Sequence, residues 1–347
     1  MLAYAGIEPW HYGAFILAII VFLALDLGVF HRKQHVVEFK EAIGWTTLWF
    51  MLAMLFAILV VPGSTQDNEE HPRMAFITGY ILELSLSMDN VFVIALIFSY
   101  FRVKPEYQHR LLFWGILGAI IMRGIMIGIG AAAVAKWHWI LYIFGAFLLY
   151  TGVKLLLTSD DEGVEPEKNF FVKLARRIMP VHEKFDGGNF LTEIDGRRML
   201  TPMAIALITI ESTDVVFAVD SIPAIFAVTR DPFIIFTSNM FAILGLRSLY
   251  FVLANAIGYF QYLRYGLALV LTFIGAKMLA EDWWKTALGK LGVQDGQQHF
   301  IPLVIVIIIL FVSILASMLR LQNNLGEEDD IDDEVDDDSP QVDEEDN

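Results

Sequence analysis

Long apolar stretches dominate this sequence, and a chain that carries many of them has few ways to fold. Inside hydrocarbon every backbone N–H and C=O must find its partner within the protein, so spanning segments are helices or closed barrels. A helix needs roughly 20 mostly apolar residues to cross. Nine such segments can be read, near 12–30, 43–61, 75–100, 111–134, 138–157, 201–228, 232–257, 262–280 and 300–320. Asn255, Gly258 and Gln261 mark the break that divides 232–280 in two. The composition, 56% apolar against 18% charged, leans the same way. The first span does not read as a cleaved signal, because residues 1–11 hold no basic residue and the apolar stretch is too long. The predicted fold is an all-α polytopic membrane protein of about nine transmembrane helices.

Basic residues set its orientation. With the N-terminus outside, sixteen Lys and Arg fall in inner loops and five in outer loops, which favours N-out and C-in. The net charge of −16 misleads, because residues 326–347 hold fourteen acids and no base and the rest of the chain is near −2. That tail is expected to be disordered and cytoplasmic, since it has too little apolar surface to offset chain entropy. Residues 1–325 then form one membrane domain. The longest connection, about 158–200, is placed in the cytoplasm. There Phe170, Phe171, Leu174 and Ile178 recur at helical spacing opposite Lys173, Arg176 and Arg177, as in a helix lying on the inner leaflet. Asp195-Gly196 between Phe190–Glu193 and Arg197–Leu200 predicts a small hairpin. The bases of this connection are balanced by Asp160, Asp161, Glu162, Glu165 and Glu167, so nucleic acid is not expected as a partner. The bilayer is.

The chain repeats itself across that connection. Ser87-Met-Asp89-Asn-Val-Phe92 aligns with Ser212-Thr-Asp214-Val-Val-Phe217 at an offset of 125. Ile116-Leu-Gly118 followed by Arg123 aligns with Ile243-Leu-Gly245 followed by Arg247, and Gly152-Val-Lys154 aligns with Gly275-Ala-Lys277. The units, about 75–157 and 201–280, have three spans each. Three is odd, so they run through the membrane in opposite senses. The flanking helices are 12–30, 43–61 and 300–320. Inverted three-plus-three repeats are typical of secondary transporters, with the site near midplane between the repeats.

The spans contain six acids, Asp26, Glu83, Asp89, Glu211, Asp214 and Asp220, and three bases, Arg123, Arg247 and Lys277. A charge at a span centre costs at least ~2.5–3.5 kcal/mol, so these groups pair, or carry a function, or both. Full pairing leaves three acids over, a count that a divalent cation with a proton would balance. The chain has no cysteine, and its histidines lie in loops or at span ends. The available donors are oxygens, which suit manganese, magnesium or calcium. Glu83, Ser87 and Asn90 share one helical stripe, with Asp89 about 100° round from Asn90. Glu211 and Asp214 share a face with Ser212 beside them. Asp220 falls on the opposite side of the same helix. Pro223 removes a donor and crowds the turn at Val219, so a kink or unwinding near 219–223 is predicted. Without one, Asp220 serves elsewhere, as a proton carrier or a partner of Arg123 or Arg247. Asp26 fits a helix–helix pair as well as a ligand. Arg123 and Arg247 read as clamps or substitute cations, and Asn239 and Asn255 as weaker candidates that bridge helices.

At these residues the chain is similar to the TerC family of integral membrane proteins. Glu83-Leu-Ser-Leu-Ser-Met-Asp89-Asn90-Val-Phe-Val and Glu211-Ser-Thr-Asp214-Val-Val-Phe-Ala-Val-Asp220-Ser-Ile-Pro223-Ala resemble its two signatures. Trp139-Ile-Leu-Tyr-Ile-Phe-Gly, Asp231-Pro-Phe-Ile and Thr237-Ser-Asn-Met-Phe-Ala-Ile-Leu-Gly-Leu-Arg247 resemble its Alx-type branch. The similarity covers about residues 12–320. It implies a manganese exporter of the bacterial cytoplasmic membrane, with older associations to tellurite resistance and alkaline pH. It also implies that Glu83, Asp89, Glu211, Asp214 and Asp220 handle the metal, here with Asn90. No cofactor is expected beyond the transported Mn2+ or a related divalent cation such as Ca2+.

Two other readings compete with export. A membrane metal sensor or scaffold would bind metal without flux. An intramembrane aspartyl protease would use Asp89 and Asp214 as a dyad. Its Gly-x-Gly-Asp and Tyr-Asp signatures are missing, and it gives no reason for the remaining acids.

Overall fold

In a computed structural model the described residues are 9–25, 39–61, 71–157, 167, 169–194, 196–254, 263–290, 301–317 and 319. Asp26, the Asn255–Gln261 break, Asp195 of the predicted turn and the acidic tail lie outside them. The described chain is almost entirely helical: α1 (Pro9–Leu25), α2 (Phe39–Leu59), α3 (Pro72–Tyr100), α4 (Pro105–Lys136), α5 (Ile140–Leu157), α6 (Phe170–Ile178), α7 (Pro202–Phe226), α8 (Pro232–Ala254), α9 (Leu263–Leu279) and α10 (Glu281–Lys290). A further apolar helix, α11, covers Ile301–Ser317. Among the described residues six helices are long and apolar enough to cross a membrane, namely α2, α3, α4, α5, α7 and α8. The fold is an all-α polytopic membrane fold. α1, α9 and α11 fall where the sequence places spans, at 17 described residues each. α10 was not anticipated; its charged sequence lacks the apolar run that marks a span.

Local chemistry fixes the helix ends. Proline opens α3, α4, α7 and α8, where its missing N–H would have no intrahelical partner anyway. Asp231 accepts from Phe233 N at 2.8 Å at the start of α8, and Thr201 Oγ1 accepts from Ala204 N at 3.4 Å at the start of α7. Arg73 on α3 donates to the carbonyls of Ile58 and Val61, both at 2.9 Å, and so satisfies the end of α2.

The closest helix pairs are α5 with α9, α3 with α8, α2 with α8, α4 with α7, α4 with α8 and α3 with α7. Exchanging α3, α4 and α5 for α7, α8 and α9 leaves the α5–α9, α3–α7 and α4–α8 contacts unchanged and turns α3–α8 into α7–α4. Phe76 and Tyr80 of α3 pack with Ile234 and Phe241 of α8 in a core that also takes Phe15 of α1 and Ala53 and Ala57 of α2. The outer faces expose Leu48, Leu55 and Leu59 on α2 and Ile121, Ile125 and Ile129 on α4, as a hydrocarbon solvent allows. α5 and α9 approach through glycine. A Cβ on Gly275 would stand 2.5 Å from Leu149 N, and one on Gly152 would stand 2.6 Å from Thr272 N. Small residues permit such backbone approach between membrane helices.

Between the two helix triplets, α6 forms where the Phe170–Ile178 spacing predicts it. Strands β1 (Leu191–Ile194) and β2 (Arg197–Leu200) pair antiparallel with Ile194 opposite Arg197. Gly196 takes φ 73°, the left-handed conformation that this two-residue turn requires. The predicted unwinding at 219–223 does not occur. α7 runs as one helix through Pro223 to Phe226. The proline removes only the bond to the Val219 carbonyl, one turn from the helix end, and Ile222, Ala224, Ile225 and Phe226 around it are held in the core.

Candidate cation site

Four helices bring polar side chains to one point, each from its middle third. Asp214 lies twelve residues from either end of α7. Glu83, Ser87 and Asn90 come from α3, Arg123 from α4 and Asn239 from α8. Arg123 is the centre. It is 1% exposed, against 2% for Glu83 and 8% for Asp214, so three charges sit together in the protein interior. Its Nη2 and Nε donate to the two oxygens of Asp214 at 2.9 and 3.2 Å, a side-on bidentate pair. Its Nη1 pairs with Glu83 Oε1 and also donates to Ser221 Oγ at 3.3 Å. Removing one partner from a buried pair of this kind typically costs about 3–5 kcal/mol, because a bare charge is left behind.

The surrounding amides complete the cluster on the donor side only. Asn239 Nδ2 donates to Glu83 Oε2 at 2.8 Å, and Asn90 Nδ2 donates to Asp214 Oδ1 at 3.5 Å. Turning either amide over would set its carbonyl oxygen against a carboxylate, so these orientations follow from charge. Both carbonyl oxygens, Asn90 Oδ1 and Asn239 Oδ1, are buried without a hydrogen-bond partner. An unsatisfied buried acceptor costs on the order of 1–3 kcal/mol. The cluster thus holds two carboxylates and two unused amide oxygens, the donor set of a hard cation. Among the described residues no three His, Asp or Glu side chains stand together as a ready metal cage, since a guanidinium separates Glu83 from Asp214.

Glu211 faces the same neighbour helix as Asp214. It lies over Gly118 of α4 so closely that a Cβ there would collide with its carboxylate. A cavity of about 30 Å³ reaches Asp214 and Asn90. Its wall includes Ile94 and Ile97 of α3, Leu112 and Gly115 of α4, and Thr213 and Phe217 of α7, so on α3 and α4 it extends from the cluster toward the loop that joins them. α6 is itself tied to the site helix. Asn169 Oδ1 caps α6 by accepting from Phe171 N at 2.9 Å, and its Nδ2 donates to Ser212 Oγ at 2.6 Å, between Glu211 and Asp214.

The remaining predicted residues lie elsewhere. Asp89 is half-buried and turned toward α9, where Arg264 acts on it electrostatically. Asp220 is half-buried on the far face of α7, against Thr151 of α5, with Oδ1 unpartnered. Arg247 lines a separate cavity with Trp45, Trp49 and Phe113. Lys277 donates to the carbonyl of Ala227 at 3.4 Å and so caps the end of α7. Within the cluster itself, Ser87 donates weakly to Glu83, at 3.4 Å. The contact of Ser221 with Arg123 and the steric role of Gly118 are not legible in the sequence, while Asn239 bridges α8 to α3 as its reading expects. A polar run inside an apolar span, Thr237-Ser238-Asn239, was the available signal.

Comparison with known proteins bears on the whole of this fold. Residues 68–324 match the family described as integral membrane protein TerC. A Myxococcus xanthus protein, "Uncharacterized membrane protein STKORF319", is 52% identical over 278 residues, covering 80% of this chain and 86% of the relative. The Escherichia coli K12 protein named "Putative membrane-bound redox modulator Alx" is 44% identical over 294 residues, covering 83% of this chain and 91% of the relative. A Rickettsia felis membrane protein is 38% identical over 306 residues, covering 88% and 96%. No solved structure matches the chain. With the two signature segments crossing at the buried cluster and the match running over most of its length, the chain belongs to the TerC family of integral membrane proteins.

Proposed function

We propose that this protein is a secondary transporter of the bacterial cytoplasmic membrane that exports divalent metal, Mn2+ first, through the midplane cluster between its two helix triplets. The observation that carries the reading is the pair of orphaned carbonyl oxygens, on Asn90 and Asn239, beside Glu83 and Asp214. With Glu211 one turn away, they offer an all-oxygen site of the kind that Mn2+, Mg2+ and Ca2+ accept. The symmetry of the helix contacts under exchange of the triplets supports an inverted repeat with the site between its halves. The cavity at Asp214 supports access from the side of the α3–α4 loop, which the basic residues assign to the cytoplasm. Carboxylates trade protons for metal, so proton antiport is the coupling that this chemistry favours. The redox modulation in the name of the Escherichia coli relative has no thiol to work through here, because these 347 residues include no cysteine. No enzymatic step is proposed.

Flux in sealed liposomes tests the reading. Purified protein should move Mn2+ across the bilayer, as followed by an entrapped metal-sensitive dye, and Asp214→Asn should stop that movement while remaining folded in the membrane. Tight Mn2+ binding without flux under several pH gradients would replace transport by a sensor or scaffold role.

A further inference from the structure

We infer that Arg123 is an internal cation that competes with the transported metal for Glu83 and Asp214. This rests on the transport reading above and adds to it the state of the site between cargoes. A metal that bridged Glu83 and Asp214 would have to stand where the guanidinium now stands, because Arg123 engages both carboxylates at once. The two cannot be bound together in this arrangement. Arginine stays protonated in any protein environment, so its charge is permanent. Binding of metal therefore displaces a fixed positive charge, and release of metal lets it return.

The consequence concerns the unloaded carrier. An exporter that has released its metal must bring a metal-free site back through the membrane, with the exchanged proton where the coupling is antiport. Two bare carboxylates there would carry two negative charges at a span centre, where even one is expensive. With Arg123 seated between them the pair carries one. Ser221 Oγ, itself 2% exposed, holds the guanidinium in this seat through Nη1. Arg123 thus acts as a positioning and counter-charge residue: it weakens metal binding and makes the empty return step feasible. Exchange of metal for metal does not need that step. Net export does.

The test compares binding and two kinds of flux in wild type, Arg123→Gln, Arg123→Lys and Ser221→Ala, all as full-length protein. Equilibrium binding of radioactive Mn2+ to purified protein is the first readout. Arg123→Gln should bind at least tenfold more tightly than wild type, and Ser221→Ala about threefold to tenfold more tightly, the loss of one hydrogen bond holding the competitor. In liposomes Arg123→Gln should keep Mn2+–Mn2+ exchange while net flux falls at least tenfold, and Arg123→Lys should recover part of the net flux. Equal or weaker binding in both Arg123→Gln and Ser221→Ala, or net flux and exchange reduced in the same proportion, overturns the inference and leaves Arg123 a structural clamp. Ser221→Ala decides the point on its own if Arg123→Gln fails to accumulate. Wild type that binds Mn2+ but does not move it removes the transport reading, while the binding comparison still decides the place of Arg123. Wild type that neither binds nor moves Mn2+ overturns both.

Discussion

At the residue scale the acids of the two signatures divide into unequal groups. Glu83 and Asp214 share Arg123, Glu211 leans over Gly118, and Asp89 and Asp220 face α9 and α5 instead. Asp214→Asn should therefore weaken Mn2+ binding by about 1.5–3 kcal/mol, roughly tenfold to 150-fold in Kd. Asp89→Asn should leave Kd within about threefold of wild type, less than the value of one hydrogen bond. Isothermal titration of both variants checks the contrast, and equal losses would return Asp89 to the site. Part of this was legible from spacing. Helical arithmetic puts Glu83, Ser87 and Asn90 on one stripe and turns Asp220 away from Asp214, and both hold in the structure. Which acid meets which arginine was not legible, because that depends on how far one helix slides past another, and apolar periodicity says nothing about depth. Gly118 illustrates the limit: its role is the side chain it lacks.

At the element scale, helix identity was read from hydropathy and the hairpin from Asp195-Gly196, since both signals are local. Of the kink or unwinding expected at Pro223, the unwinding does not occur, because the residues after it are buried and tolerate one missing N–H. The α6 tether is a tertiary feature that no local pattern reports. Asn169→Ala removes a cap, about 0.5–2 kcal/mol, together with the link to Ser212. Trypsin should then cut at Lys173, Arg176 and Arg177 several times faster than in wild type, measured by gel after limited digestion of inside-out vesicles. The glycine contact of α5 with α9 gives a second expectation. Gly152→Val should lower stability by about 1–3 kcal/mol, the usual range for overpacking, seen as a fall in Tm in detergent. Gly44→Ala, inside α2 where a Cβ meets nothing within 4 Å, should hold Tm or raise it slightly.

At the scale of the whole molecule the proposed N-out, C-in orientation rests on basic residues alone, and the sequence offers a clean way to check it. With no native cysteine, a single introduced one reports by itself. Glu193→Cys in the hairpin should react with an impermeant maleimide only from the cytoplasmic side, and Lys136→Cys at the end of α4 only from outside; the opposite result would invert the molecule and turn export into uptake. The two triplets also meet through surfaces of different texture. Between α3 and α8, Phe76 and Tyr80 interlock with Ile234 and Phe241, and any displacement there must lift side chains out of their holes. Between α5 and α9, glycines at 145, 152 and 275 let backbone rest on backbone. Smooth tracks slide where toothed ones lock, and packed helices move by small shear steps. In the transport cycle proposed above, the α5–α9 seam would serve as the bearing and the aromatic face of α3 against α8 as the latch.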